Sequence, residues 1–443
     1  MHFVRNYTQM NRRTMLKRAG AFGAASALGT LAAPAIRAGE SRKITFANVE
    51  TIAGATDILA AGAKQYNDLT GVEVEINTMS LDQVWINVQA SLRSGKPIDI
   101  FMEGFIGHVA LLAAQDAIVP LNQITDKYKW GPQILFPIDG QAFWMPYDYN
   151  FASLHYNKQT YADNNWTPAR THADFLEINK AMTDGKGNFG SIFPMESGAS
   201  TNWESTGFFW AEDCKIFDDN WNVIIDNDEQ RPRYERVLDF IHELSAYMPK
   251  DVSSLSWMEG PNGFAAGTNG HFAFVPIPIE DATINNTALK GKIGLTAFPS
   301  SDGVKRGLCH GYDGISVTKS ANTEEALKFL EWFADNTYVD FICNRPLFYQ
   351  PPRLDIYDNP KYKDNAIIKE NPTEDAFLQS VLSSDDIIVR SIDSTGPAIS
   401  DLSAKVFQSF AFPAMLQERV LKNTPAAQCV DIGAKIMRDA IAT

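Results

Sequence analysis

Hydrophobic and polar positions along the chain change period repeatedly, and each change predicts an element. Residues 43–47 read as a short strand, followed by a loop holding Glu50 and Thr51. Ile58, Gly62, Tyr66 and Leu69 then recur along one face of a helix, and Gly71 marks its end. Val72, Val74 and Ile76 alternate with Glu73 and Glu75, as a strand should. Ser80 with Gln83 three residues later is a capping-box signature. The helix it opens carries Leu81, Val84, Trp85, Val88 and Leu92 as its apolar stripe. Residues 97–102 are more continuously apolar, which suits a strand covered on both faces.

Strand, helix, strand, helix, strand is the rhythm of an open α/β sheet. Helical stripes recur downstream. Thr171 and Asp174 cap a helix through Phe175, Ile178 and Met182, and Tyr234, Val237, Leu238 and Ile241 carry another. Asn322 and Glu325 start a third through Ala326, Phe329, Leu330 and Phe333, and a helix with Val430, Ala434, Met437 and Ile441 closes the chain. These stripes are core packing and contain no cofactor box.

A chain of 443 residues with 45% hydrophobic content can bury a large core, and its length suits two lobes. The first 38 residues differ from the rest. They hold six basic residues (Arg5, Arg12, Arg13, Lys17, Arg18, Arg37), no acidic one, and an Ala/Gly-dominated stretch ending in small residues near Ala35 and Ala38. That is the pattern of a secretory signal, and Arg12-Arg13-Thr14-Met15-Leu16-Lys17 resembles the twin-arginine type. Export to the periplasm is therefore expected. Beyond it, no stretch approaches the ~20 apolar residues of a membrane span, so no membrane insertion is expected. Without the signal's six positive charges the formal net charge moves from −14 to −20. Such a chain repels phosphates, and nucleic acid is not an expected partner. Cys214, Cys309, Cys343 and Cys429 are far apart and lack metal-ligand spacing, so either disulfides or buried thiols fit them.

The sequence contains no GxxxxGK[ST], HExxH or GxSxG. Its histidines are scattered rather than spaced as ligands, and no carboxylate pair is singled out for glycoside hydrolysis. No catalytic residue, metal or cofactor is assigned.

Several blocks in order carry a resemblance. They are 69–74 (LTGVEV), 96–100 (KPIDI), 118–121 (IVPL), 139–148 (DGQAFWMPYD) with 154–158 (LHYNK), 166–175, 264–267 (FAAG), 293–299, 311–317 (GYDGISV) and 351–353 (PPR). Together they resemble the family 1 extracellular solute-binding proteins, the maltose-binding-protein type. The resemblance implies an α/β fold of two lobes joined by a hinge, with ligand in the interlobe cleft and a membrane permease of an ABC importer as partner. It implies lobe one at 39–149 plus 300–340 and lobe two at 150–299 plus 341–443, in a protein acting as a monomer.

A sugar presents hydroxyls to Asp, Glu, Arg and Asn, and C–H faces to aromatic rings. By family logic the ligand contacts are Glu50, Thr51 and Glu103 at strand ends of lobe one, with Tyr147 and Asp148 at the first crossing. Glu196, Trp203 and Trp257 follow on lobe two, then Gly311, Tyr312 and Asp313, and Arg353 on the late loop. Many members carry a Trp after the FxxG block, whereas this chain has none there and offers Phe274. A carbohydrate-like solute is the leading expectation. The alternatives are a polyamine or other non-sugar solute in the same receptor, and a secreted carbohydrate-active hydrolase.

Overall fold

A computed structural model describes residues 42–442, so the signal-like segment at 1–38 lies outside the described residues. β1 (Lys43–Asn48), β2 (Glu73–Thr78) and β3 (Ile100–Glu103) form a parallel set in the order β2-β1-β3, joined by helices α1 (Ala53–Thr70) and α2 (Leu81–Arg93). The local signals explain the boundaries. Gly71 takes φ 73°, a left-handed cap that a Cβ would disfavour, and its N–H bonds back to Asn67 O. Ser80 and Gln83 exchange both capping-box hydrogen bonds. All four residues of β3 are buried, as its uninterrupted apolar run requires. Leu69 departs from the expected helix face: it is 72% exposed.

Two long strands organise the rest. β4 (Met145–Asn157) and β9 (Arg306–Val317) pair antiparallel, and each changes partners along its length. The first part of β4 pairs with β9, while Ser153–Asn157 pairs with β6 (Asn269–Phe274) and β7 (Ile293–Thr296). β5 (Phe189–Ile192) extends that side by pairing parallel to β6. β9 begins against β8 (Phe298–Pro299) and β10 (Ile387–Arg390) and ends against β3. A bulge between Pro146 and Asp148 shifts the β4–β9 register.

The core closes around these strands with Trp144, Tyr147, Phe151 and Tyr312 among its largest buried side chains. All four cysteines are buried and free, so the thiol alternative describes them, and burial pushes the Cys343 thiol up to about 11. Burial likewise drives the imidazoles of His155 and His310 down to about 3, leaving both neutral. Among the described residues, no helix is long and apolar enough to cross a membrane.

Candidate functional site

Where β4 and β9 run side by side, Asp148 faces Asp313 and Asn150 faces Gly311, while Tyr149 faces Tyr312 and Phe151 faces His310. Opposed residues share a face and successive ones alternate, so the first two pairs and the last two lie on opposite sides. The second side is a packed aromatic layer: Phe136 lies 4.7 Å from Tyr312, and Tyr312 4.5 Å from His310, between ring centroids.

The first side opens on a cavity of about 230 Å3. Trp203, Trp257, Phe274, Phe105 and Phe348 provide its rings, Asn150 and Asp313 its polar groups, and Asp393 borders it further along. Trp203 comes from the helix Ala199–Glu204 and is nearly buried, whereas Trp257 stands at the rim. Their centroids are 5.9 Å apart with planes at 54°, so the two indoles make an open corner. Two glycines create the space. A Cβ on Gly311 would come within 3.0 Å of the Trp203 ring, and one on Gly104 within 2.5 Å of Asp313 Oδ1.

Asp313 is fixed by its neighbours. Its N–H donates to Asp148 Oδ1 at 2.8 Å, and Asn150 Nδ2 donates to its Oδ2 at 3.2 Å. Burial, reinforced by the Glu50 carboxylate, raises Asp313 to about 7, against the Asn150 hydrogen bond that lowers it. Asp148 is pushed well above the usual carboxylate range by burial, then by Asp313 and Glu50. An acid raised in this way stabilises the folded state fully below about pH 4, and that contribution is lost as pH rises through about 7. Asp313→Asn is therefore expected to flatten the fall in Tm of the ligand-free protein between pH 4 and 8. An unchanged slope would contradict this.

The remaining candidates lie elsewhere. Glu50 accepts from the Tyr147 hydroxyl at 2.7 Å and the Tyr349 hydroxyl at 2.6 Å, so both its oxygens are taken. Glu103 accepts the N–H groups of Gly104 and Phe105, and its other oxygen lies 3.2 Å from His108 Nδ1. It shapes the turn that carries the cavity wall. Thr51 is exposed, and Glu196 accepts from Ser200 at the start of the Trp203 helix. Arg353 is buried away from the cavity. It bonds both Asp355 oxygens and Ala334 O, and lies 3.9 Å over the Tyr128 ring. Arg353→Ala should cost about 2–3 kcal/mol of stability through lost charged hydrogen bonds, with ligand affinity retained. Calorimetric binding that collapses while Tm holds would reverse that assignment.

The structure thus gathers Trp203, Trp257, Gly311 and Asp313, with Asp148 behind them, around one cavity, while the Tyr312 ring packs in the aromatic layer on the other side. Asn150, Phe105 and Phe348 join without having been singled out. Asn150 had a signal, since it follows Asp148 by the two residues that return a strand to the same face. A larger depression of about 650 Å3 borders Phe136, Phe217 and Ile399, but it carries no comparable cluster of rings.

Residues 61–370 match the model of the family described as bacterial extracellular solute-binding protein. An arabinooligosaccharide-binding protein of Halalkalibacterium halodurans is 22% identical over 311 residues, covering 66% of this chain and 67% of its own. Among solved structures, an ABC transporter solute-binding protein of Thermotoga lettingae bound to α-D-tagatose superposes with a TM-score of 0.72 at 16% identity, over 90% of this chain and 100% of that one. One from Agrobacterium radiobacter in complex with ribitol gives 0.71 at 14% identity, over 91% and 99%. Maltose-bound MalE3 of T. maritima gives 0.72 at 17%, over 90% and 99%.

Proposed function

Because the chain belongs to the bacterial extracellular solute-binding protein family, with the two-lobed fold of its structural relatives, we propose that it is the receptor of an ABC importer and captures a sugar or sugar alcohol beside Trp203 and Asp313. The observation that carries this reading is the pairing of an indole corner with hydrogen-bonding groups on one strand pair. Aromatic faces stack on the C–H surface of a sugar ring or polyol chain, while Asn150 and the carboxylates take its hydroxyls.

Size narrows the ligand. Pockets for drug-sized molecules run to ~300–1,000 Å3, and this one is smaller. A monosaccharide or a pentitol or hexitol fits better than a long oligosaccharide. The names of the relatives agree in kind, with tagatose and ribitol among the bound solutes.

In this reading residues 39–149 plus 300–340 form one lobe and 150–299 plus 341–443 the other. β4 is one of the segments that cross between them. A solute touching both sides favours the closed state by population shift, and a membrane permease reads that state. Residues 1–38 direct a monomeric protein to the periplasm through the twin-arginine route. As a receptor, it releases its solute chemically unchanged.

Thermal unfolding of the chain lacking residues 1–38, against a panel of sugars, sugar alcohols, sugar acids and polyamines, tests the reading. A ligand at ~100 times its Kd adds about 2.7 kcal/mol to the folded state. A selective rise in Tm with one sugar or polyol group is expected. A rise with polyamines alone, or hydrolysis of an oligosaccharide, would overturn it.

A further inference from the structure

The cavity is lined without any positive charge. Neither Lys nor Arg is among its lining residues, yet both Asp313 and Asp393 border it. The charged groups around Asp313 are other acids. Asp148 lies against it from β4, Glu50 acts from the loop after β1, and Glu103 from the end of β3. His108 faces Glu103 and Gln408, and His310 is neutral within the aromatic layer. Asp148 is fully buried, and its Oδ2 has no hydrogen-bond partner.

Buried carboxyl groups facing one another hold protons unless a cation supplies the missing charge. The rest of the wall supplies a second attraction of the same sign, because the faces of indole and phenyl rings attract cations. Trp203, Trp257, Phe105 and Phe274 present such rings. A neutral polyol uses only the hydroxyl-binding part of this surface. An anionic sugar is repelled by it.

We propose that the solute is a sugar or polyol bearing a protonated amine, its ammonium group seated between Asp313 and the Trp203–Trp257 corner. The proposal rests on the carbohydrate reading above and narrows it. Asn150 and the backbone at Gly104 and Gly311 are left for the hydroxyls. As the ammonium enters, Asp313 gives up the proton it shares with its acidic neighbours, so binding releases protons near neutral pH.

The test is calorimetric titration of the chain lacking residues 1–38 with parent hexoses and hexitols, with 2-, 3- and 6-amino-deoxyhexoses, and with their N-acetyl forms. An amino form is expected to bind about tenfold tighter than both its parent and its uncharged N-acetyl form. Titration in two buffers of different ionisation heat should show proton release for the amine alone. Asp313→Asn should remove the difference between the forms, and the proton release of the native chain stands as evidence even if that variant folds poorly. Neutral parents binding as tightly as the amines, without proton release, would overturn the proposal and leave the carbohydrate reading standing. Binding of a linear polyamine with none of the sugars would overturn both.

Discussion

Glu50→Ala is expected to lower stability by about 2–5 kcal/mol, the largest loss from any single truncation considered in this protein. The carboxylate is 6% exposed and accepts from two tyrosine hydroxyls that reach it from far along the chain. Truncation leaves both Tyr147 and Tyr349 as buried donors without a partner, each at a cost of about 1–3 kcal/mol. It also disconnects the loop after β1 from β4 and from the segment after residue 344. Glu50→Gln keeps an acceptor for one phenol and offers a donor to the other, so it should lose far less. Denaturant melts of the two variants check this. Equal, small losses would show that the two hydroxyls find other partners, and a selective loss of ligand affinity would return Glu50 to the binding site.

Trp203→Ala should weaken ligand binding by at least about 30-fold, because a nearly buried indole under the ligand is the kind of anchor that dominates an interface. The ring lies so close to Gly311 that nothing larger than glycine fits between it and Asn150 O. The same truncation opens a cavity and lowers Tm, as large-to-small core changes do. Affinity must therefore be read on folded protein. Trp203→Phe separates the two effects, since it keeps an aromatic face and most of the packing. Its affinity should lie between native and Ala. An alanine variant that binds normally would remove the indole corner from the site.

These two residues also show which features the sequence made legible. The 311–313 segment could be singled out because it sits in one of the blocks whose order along the chain resembles a known family, and Trp203 and Trp257 because they lie between such blocks where that family places ligand contacts. The β1–α1–β2–α2–β3 run was legible for a different reason: alternation, helical stripes, Ser80–Gln83 and Gly71 each report on neighbours a few residues away. Glu50 and Arg353 were not legible in this way. What occupies the Glu50 carboxylate is Tyr349, 299 residues distant, and what holds Arg353 includes Tyr128 and Ala334. No local period encodes such partners. Leu69 failed in the opposite direction: it continues the stripe of α1 and is nevertheless exposed.

The acid grouping at Asp148, Asp313 and Glu50 was visible only as separate residues. Its character comes from burial and from the carboxylates facing one another, both properties of the folded arrangement. That arrangement makes pH a useful variable for this protein, since ligand and protons compete for the same carboxylates.

The most direct measurement of the central claim is a crystal structure of the protein with the strongest ligand from the thermal panel. A sugar or polyol seated against Trp203 and Trp257, with polar contacts to Asp313 and Asn150, is expected. Ligand density in the larger depression beside Phe217 and Ile399, with the indole corner empty, would contradict it.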